Sequence, residues 1–257
     1  MSGRWTALVL AGGRPGDPLA AAFGASHKCL ISVGGRPMLA RVVDALRDHP
    51  DIAEIAISID DPTVVEAALG GASGVRVLAT GDSAPASALA ALDRLGSPWP
   101  VLLTTADHAL LDRAMLDRFL AASEESGADL TIGLASAETI LAALPDTRRT
   151  FLRFGPDRVS GCNLYGLLSP KAKGALALWR SLDRDRKKPW RIVGAFGLGA
   201  LVRYATGRID LQSALALASR RLGLEARAVL MPMAESAVDV DKAADKELVE
   251  RILAARA

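Results

Sequence analysis

Short apolar runs alternate with segments of helical spacing through the first half of the chain, and no other feature limits the fold so strongly. Thr6-Ala7-Leu8-Val9-Leu10 is continuously apolar after its first residue and stops at Ala11-Gly12-Gly13. Further strands are expected at 52–59, 75–79, 101–105 and 129–134. The helices between them run from Pro37 through Leu46, 64–69, 85–95 and 112–123. Met38, Leu39, Val42, Val43 and Leu46 recur at the spacing of one helix face, and Pro37 suits a first turn. Strands joined by helices of this length pair in parallel through right-handed crossovers. Strands with no polar alternation belong to a sheet covered on both faces. The fold class is therefore α/β, a Rossmann-like, mostly parallel sheet flanked by helices.

From Phe151 the pattern changes. Residues 151–154 and 162–168 read as a pair of strands, and helical stretches follow at 170–182, 190–206 and 211–222. A strand at 226–230 and a helix over 242–254 close the chain. With no internal repeat or low-complexity linker, 1–257 reads as a single domain. Its parts are an alternating strand–helix half (1–135), a part with a helical insertion (136–224) and a closing strand and helix (225–257).

Composition excludes several classes. Lys and Arg number 31 against 29 Asp and Glu, for a net charge of +2, so no general attraction to nucleic acid is expected. Cys29 and Cys162 are too few for a disulfide framework and fit reduced thiols in a cytoplasmic protein. The apolar stretch at 192–202 has eleven residues with three glycines, too short to span a bilayer.

Ligands of open α/β sheets bind beyond the carboxyl ends of the strands, and the informative residues follow strands. Leu10-Ala11-Gly12-Gly13-Arg14 forms a glycine-rich turn, where exposed N–H groups favour an anion. Lys28 stands on the return of that loop, with a charge suited to a triphosphate. Neither a G-x-G-x-x-G nor a Walker-type motif is present. Asp107 follows Leu103-Thr104-Thr105-Ala106, and a carboxylate at the end of a buried strand calls for a cation. In Ala237-Val238-Asp239-Val240-Asp241 an extended backbone would put both carboxylates on one face. Two carboxylate sites beside a phosphate loop suit Mg²⁺, which completes its shell with phosphates and water.

In order, L-V-L-A-G-G, H-K-C-L-I-S-V-G-G-R-P-M-L, T-T-A-D-H and V-D-V-D-K-A-A-D resemble the MobA-like nucleotidyltransferases. That family is typified by molybdenum-cofactor guanylyltransferase and the sugar-phosphate and alditol-phosphate enzymes. The resemblance covers 1–135 and, less closely, 225–257. It implies an enzyme that transfers NMP from an NTP to a phosphorylated acceptor and releases pyrophosphate. It also implies that Gly12, Gly13 and Arg14 line the nucleotide, that Lys28 contacts its phosphates, and that Asp107 holds Mg²⁺ with Asp241 or Asp239. Thr80-Gly81 and Ser87 stand where the family touches base or ribose, and Asn163 stands on its acceptor side.

The chain departs from the family at Arg14-Pro15-Gly16-Asp17, which lacks a later Arg, and at Lys242-Ala243-Ala244, which replaces Thr-Pro-Glu. Two alternatives remain at this point: a glycosyltransferase using a nucleotide-sugar, although Asp107-His108-Ala109 is no Asp-x-Asp, and a non-catalytic nucleotide-binding homologue. Residues 171–208 hold ten Lys or Arg against Asp183 and Asp185. Such a run suits an acidic acceptor, an anionic membrane surface or a homodimer interface, or is a solvated face.

Overall fold

A computed structural model describes residues 4–13, 16–71, 74–96, 98–184 and 197–256. The first half alternates as expected: β1 (Trp5–Leu10), α1 (Pro18–Ala22), a hairpin of β2 (Ser32–Val33) and β3 (Arg36–Pro37), α2 (Met38–Arg47), β4 (Ile52–Ile59), α3 (Thr63–Leu69), β5 (Arg76–Ala79), α4 (Ala84–Leu95), β6 (Val101–Thr105), α5 (Arg113–Glu125) and β7 (Leu130–Ser136). The second half contributes α6 (Ala137–Ala143), β8 (Leu152–Phe154), β9 (Asp157–Leu167), α7 (Ala172–Arg184), α8 (Leu198–Ala205), α9 (Leu211–Leu222), β10 (Ala226–Leu230) and α10 (Ala243–Arg256). The first part of the helix expected over 190–206 lies outside the described residues.

Both faces of the sheet are covered. Along β1, Ala7 and Val9 enter one core with Leu39, Val42 and Leu46 of α2 and Met115, Leu116 and Phe119 of α5. Leu8 points into the other, with Ala88, Ala91 and Leu92 of α4 and Leu176 of α7. All five apolar residues named on α2 are buried, and each such burial contributes about 1.5–3 kcal/mol for the larger side chains. Caps fix where helices begin. The Asp112 carboxylate accepts from Met115 N–H at 3.0 Å, so it stands just before α5 as its cap.

The strand order of the main sheet is β10-β7-β9-β6-β1-β4-β5, with β8 paired to β9. The pairs β1–β4, β1–β6, β4–β5 and β7–β10 are parallel. One expectation is corrected. β7 does not extend the parallel run beside β6, because β9 lies between them and is antiparallel to both. The strand that seemed to begin at Cys162 therefore starts earlier, at Asp157, and turns back from β8 through Gly155-Pro156. The loop expected from Gly12 to Lys28 also contains α1, capped by Asp17, and α6 was not anticipated.

Within β9 the register slips. Gly161 pairs with Leu134 and Tyr165 with Ile132, so β9 carries extra residues opposite Gly133. Asn163 sits in this bulge at φ 51°, the only described non-glycine residue at positive φ. Asn tolerates that region better than most residues, and bulges re-aim side chains. Gly133 makes room for the bulge: a β-carbon there would lie 3.1 Å from Leu164 Cβ and 3.3 Å from Phe119 Cε2. Gly133→Ala should therefore cost about 1–3 kcal/mol through overpacking. Chemical denaturation measures this, and an unchanged midpoint would mean that the bulge relaxes freely.

Candidate active site

The carboxyl end of β1 leads directly into the site. Ala11 N–H donates to Ser58 O at 2.9 Å, and Ala106 N–H to Leu10 O at 3.0 Å, so ladder geometry persists just past the strand. Gly12 and Gly13 then pass between two side chains. A β-carbon would stand 2.8 Å from Thr80 Cγ2 at Gly12 and 2.9 Å from His27 Cδ2 at Gly13. Close approach is what these two glycines provide. Gly13 N–H donates to Asp60 Oδ1 at 3.0 Å, and Asp60 Oδ2 lies 3.2 Å from His27 Nε2. Burial works to raise the Asp60 pKa, but the Gly13 N–H and His27 outweigh it and hold the carboxyl below its ordinary value. Arg14 lies outside the described residues.

Lys28 opens a single 3-10 turn, Lys28–Leu30, whose Cys29 is buried beneath it. Its Nζ lies 2.6 Å from Asp107 Oδ2 and 2.5 Å from Asp241 Oδ1. Burial alone would lower the lysine pKa, but the two carboxylates more than reverse this and hold it above its ordinary value. The second Asp107 oxygen accepts from Thr105 Oγ1 at 2.5 Å. Asp107 also ties down the closing segment through its carbonyl, which accepts from Val240 N–H at 3.2 Å. Val238 and Val240 are buried with Ile31, Val33, Met38 and Val249. Alternation then turns Asp239 and Asp241 away from that apolar cluster, as the extended reading expected.

The two aspartates have different partners. Asp241 faces Lys28, and its backbone N–H donates to Asp245 Oδ2 at 3.0 Å. Asp239 is ion-paired through Oδ1 to the Arg149 guanidinium, and its Oδ2 accepts from Asn163 Nδ2 at 3.0 Å. Burial raises the Asp239 pKa, with Asp107 and Asp241 adding to the rise and Arg149 opposing it.

Thr80 touches the glycine turn, and Gly81 N–H donates to the buried Ser87 Oγ at 2.9 Å, so Ser87 shapes that corner from within. His108, next to Asp107, is buried, with the Ser236 backbone as the polar group against its ring. Burial pushes its pKa down to about 4, so the ring is neutral at pH 7. Sequence reasoning missed Asp60, Thr105 and Arg149; it set His27 and His108 beside the site and gave neither a catalytic role. Asp60 does follow a strand adjacent to β1, a place comparable with Asp107, and that was an available signal.

A divalent cation fits what is present. Lys28 shows that one cation can serve Asp107 and Asp241 together. No group of three or more His, Cys, Asp and Glu suited to a metal occurs among the described residues. Mg²⁺ takes few protein carboxylates and completes its shell with phosphate oxygens and water, so two carboxylates are chemically sufficient for it. The basic run is partly spent on the fold: Lys171 pairs with Asp129 and Lys173 with Asp93. Residues 185–196 lie outside the described residues. No described helix is long and apolar enough to cross a membrane.

The glycine turn, the lysine and the two carboxylates stand at the carboxyl edge of a covered sheet, where open α/β folds bind ligands, and the family match makes the chain an NTP transferase. The chain belongs to the MobA-like NTP transferase domain family, whose model matches residues 7–186. It is similar to a solved hypothetical transferase from Thermus thermophilus, at 29% identity and TM-score 0.79, over 95% of this chain and 99% of that one. The fold is also that of a CMP:2-keto-3-deoxy-manno-octonic acid synthetase complexed with CTP, at 14% identity and TM-score 0.60, over 99% of this chain and 100% of that one. A 4-diphosphocytidyl-2C-methyl-D-erythritol synthase from Anaerococcus prevotii matches at 13% identity and TM-score 0.60, over 98% and 99%.

The Asp60 geometry generates a pH prediction. A carboxyl held low in the folded state contributes its stabilisation above the unfolded pKa and loses it as pH falls through the folded value. The Gly13 amide resonance should therefore titrate with a midpoint below the usual carboxylate range, and Asp60→Asn should abolish that titration. A Gly13 signal that is flat from neutral pH to below that range would detach the turn from Asp60.

Proposed function

We propose that the protein transfers NMP from an NTP to a phosphorylated small-molecule acceptor, releases pyrophosphate and depends on Mg²⁺. The observation that carries this reading is the Lys28 ammonium set between Asp107 and Asp241. When bound, Mg²⁺ would be held by Asp107 and Asp241 and would neutralise phosphate oxygens.

This chain's residues do the rest by placement. The Gly12-Gly13 turn lets the NTP backbone lie close to the end of β1, with Asp60 and His27 fixing the turn from below. Lys28 exchanges its carboxylate partners for the phosphates, because a flexible ammonium keeps its charge while it moves. Thr105 holds the Asp107 carboxylate in one orientation. The acceptor's phosphate is already anionic, so no side chain need remove a proton from it. Positioning and electrostatics then supply the acceleration, as in phosphoryl transfer generally. The reaction is proposed for the cytoplasm, with no nucleic-acid partner.

The glycosyltransferase reading would consume a nucleotide-sugar and release a nucleoside diphosphate. A pyrophosphate assay with four NTPs and a panel of phosphorylated acceptors separates the two, and a binding homologue would give neither product.

Asp107→Asn and Asp241→Asn should each lower pyrophosphate release by about 10²-fold or more, with partial rescue at raised Mg²⁺. Parental release from pure Asp107→Asn protein would overturn the metal-centred reading. Lys28→Met should act in opposite directions on two ligands. Mn²⁺ alone should bind more tightly once the competing ammonium is gone, while the KM for NTP rises. Unchanged values of both would remove Lys28 from the site.

A further inference from the structure

The aspartates of the closing segment have unlike counter-ions. Asp241 is paired with a lysine whose flexible stem can carry its charge elsewhere. Asp239 is paired with an arginine whose side chain is only 11% exposed, and its second oxygen is taken by Asn163. A guanidinium stays charged at any working pH and holds a planar geometry. A divalent ion at Asp239 would have to sit against that fixed positive charge. Arg149 also reaches the Asp239 carbonyl through Nη1 at 3.3 Å, so the arginine is fastened to this one residue twice.

Beside it lies a cleft of about 230 Å³ lined by Arg148, Arg149, Thr150, Asp241 and Lys242, among others. Its lining sets Arg148, Arg149 and Lys242 against Asp239, Asp241 and Asp245, so the formal charges balance and the distinction lies in which of them are already engaged. Asp239 is committed to Arg149, and Asp245 caps the backbone N–H groups of Asp241 and Lys242 at 3.0 and 2.9 Å. The exposed side chains of Arg148 and Lys242 have no carboxylate partner among the described residues. Arg148, Lys242 and Asp245 also border a larger neighbouring groove with Leu144 and Leu248, which gives the body of a ligand a place to lie.

We propose that Asp239 is a positioning residue and not a metal ligand: with Asn163 it fixes Arg149, which together with Arg148 and Lys242 forms the subsite for the anionic group of the acceptor. The assignment rests on the transferase reading above and deepens it. It names which side of Asp241 the acceptor occupies, and it accounts for Asn163 at positive φ, since the bulge aims that amide at Asp239.

Two probes test it, Mn²⁺ alone followed by electron paramagnetic resonance and inorganic phosphate followed by calorimetry on metal-free protein at low salt. Asp241→Asn should weaken Mn²⁺ about tenfold or more, whereas Asp239→Asn should stay within about threefold of the parent. Arg148→Ser with Lys242→Ser should weaken phosphate about tenfold and leave Mn²⁺ unchanged. The same loss should appear on a Lys28→Ala background, where the nucleotide-side lysine is gone. Both replaced side chains are exposed, so this arm stands even if Asp239→Asn misfolds. An Mn²⁺ defect in folded Asp239→Asn equal to that in Asp241→Asn would overturn the proposal. So would unchanged phosphate affinity in the double variant on the Lys28→Ala background. If Asp107→Asn and Asp241→Asn both bind Mn²⁺ normally, the metal reading of the previous subsection fails, and the phosphate arm still decides this one.

Discussion

One ammonium group holds three distant parts of the chain together. Lys28 follows the glycine turn, Asp107 ends β6, and Asp241 lies beyond β10. The Lys28 contacts bring two carboxylate oxygens within about 5 Å of each other. At an effective dielectric near 20, such a pair of like charges repels by on the order of a few kcal/mol. A cation is therefore a condition for this corner to close. Lysine satisfies it with the only charged side chain that can leave without losing its charge or its anchor in the turn below.

The neighbouring pair follows the opposite logic. Arg149 and Asp239 are more deeply placed and locked from several directions, so together they behave as one rigid fixture. Exchangeable and permanent ion pairs thus stand side by side on a segment of three residues, Asp239-Val240-Asp241. Val240 anchors both by its burial and by its N–H to Asp107 O. The apolar residue between the acids sets their geometry as much as any polar contact does.

Much of this was legible before any coordinates. Strands β1, β4, β5 and β6 could be placed because apolar runs ending at Gly, Thr or Asp carry their own boundaries, and β10 because its run stops before Pro232. Lys28 and Asp107 stood out because the edge beyond the strand ends is where such sheets bind ligands, whereas Asp241 was preferred over Asp239 only through the family resemblance. The partners of Asp60 and Arg149 were not legible. Nothing local marks Asp60 as the acceptor for an amide from Gly13, or Arg149 as the counter-ion of Asp239; tertiary approach alone creates those contacts. The position of β9 was hidden for the same reason. Its composition reads as a strand, but a strand does not name its neighbours. Within the basic run, Lys171 and Lys173 serve Asp129 and Asp93 across the surface, pairings that the run of charge does not reveal.

The place of β9 has a consequence for how the molecule is made. Strands β1, β4, β5 and β6 can assemble once residue 105 has emerged, yet the free edge of β6 finds no partner in β7. It must wait for residues 157–167 to arrive from beyond two further helices and a hairpin. Until then the growing chain carries an open, apolar strand edge in its middle, the kind of surface that recruits other chains. Insertion of β9 closes β6 and β7 in one event and brings Asn163 beside Asp239. The strand that closes the middle of the sheet also carries Asn163, so a molecule stalled before its insertion lacks the amide that holds Asp239.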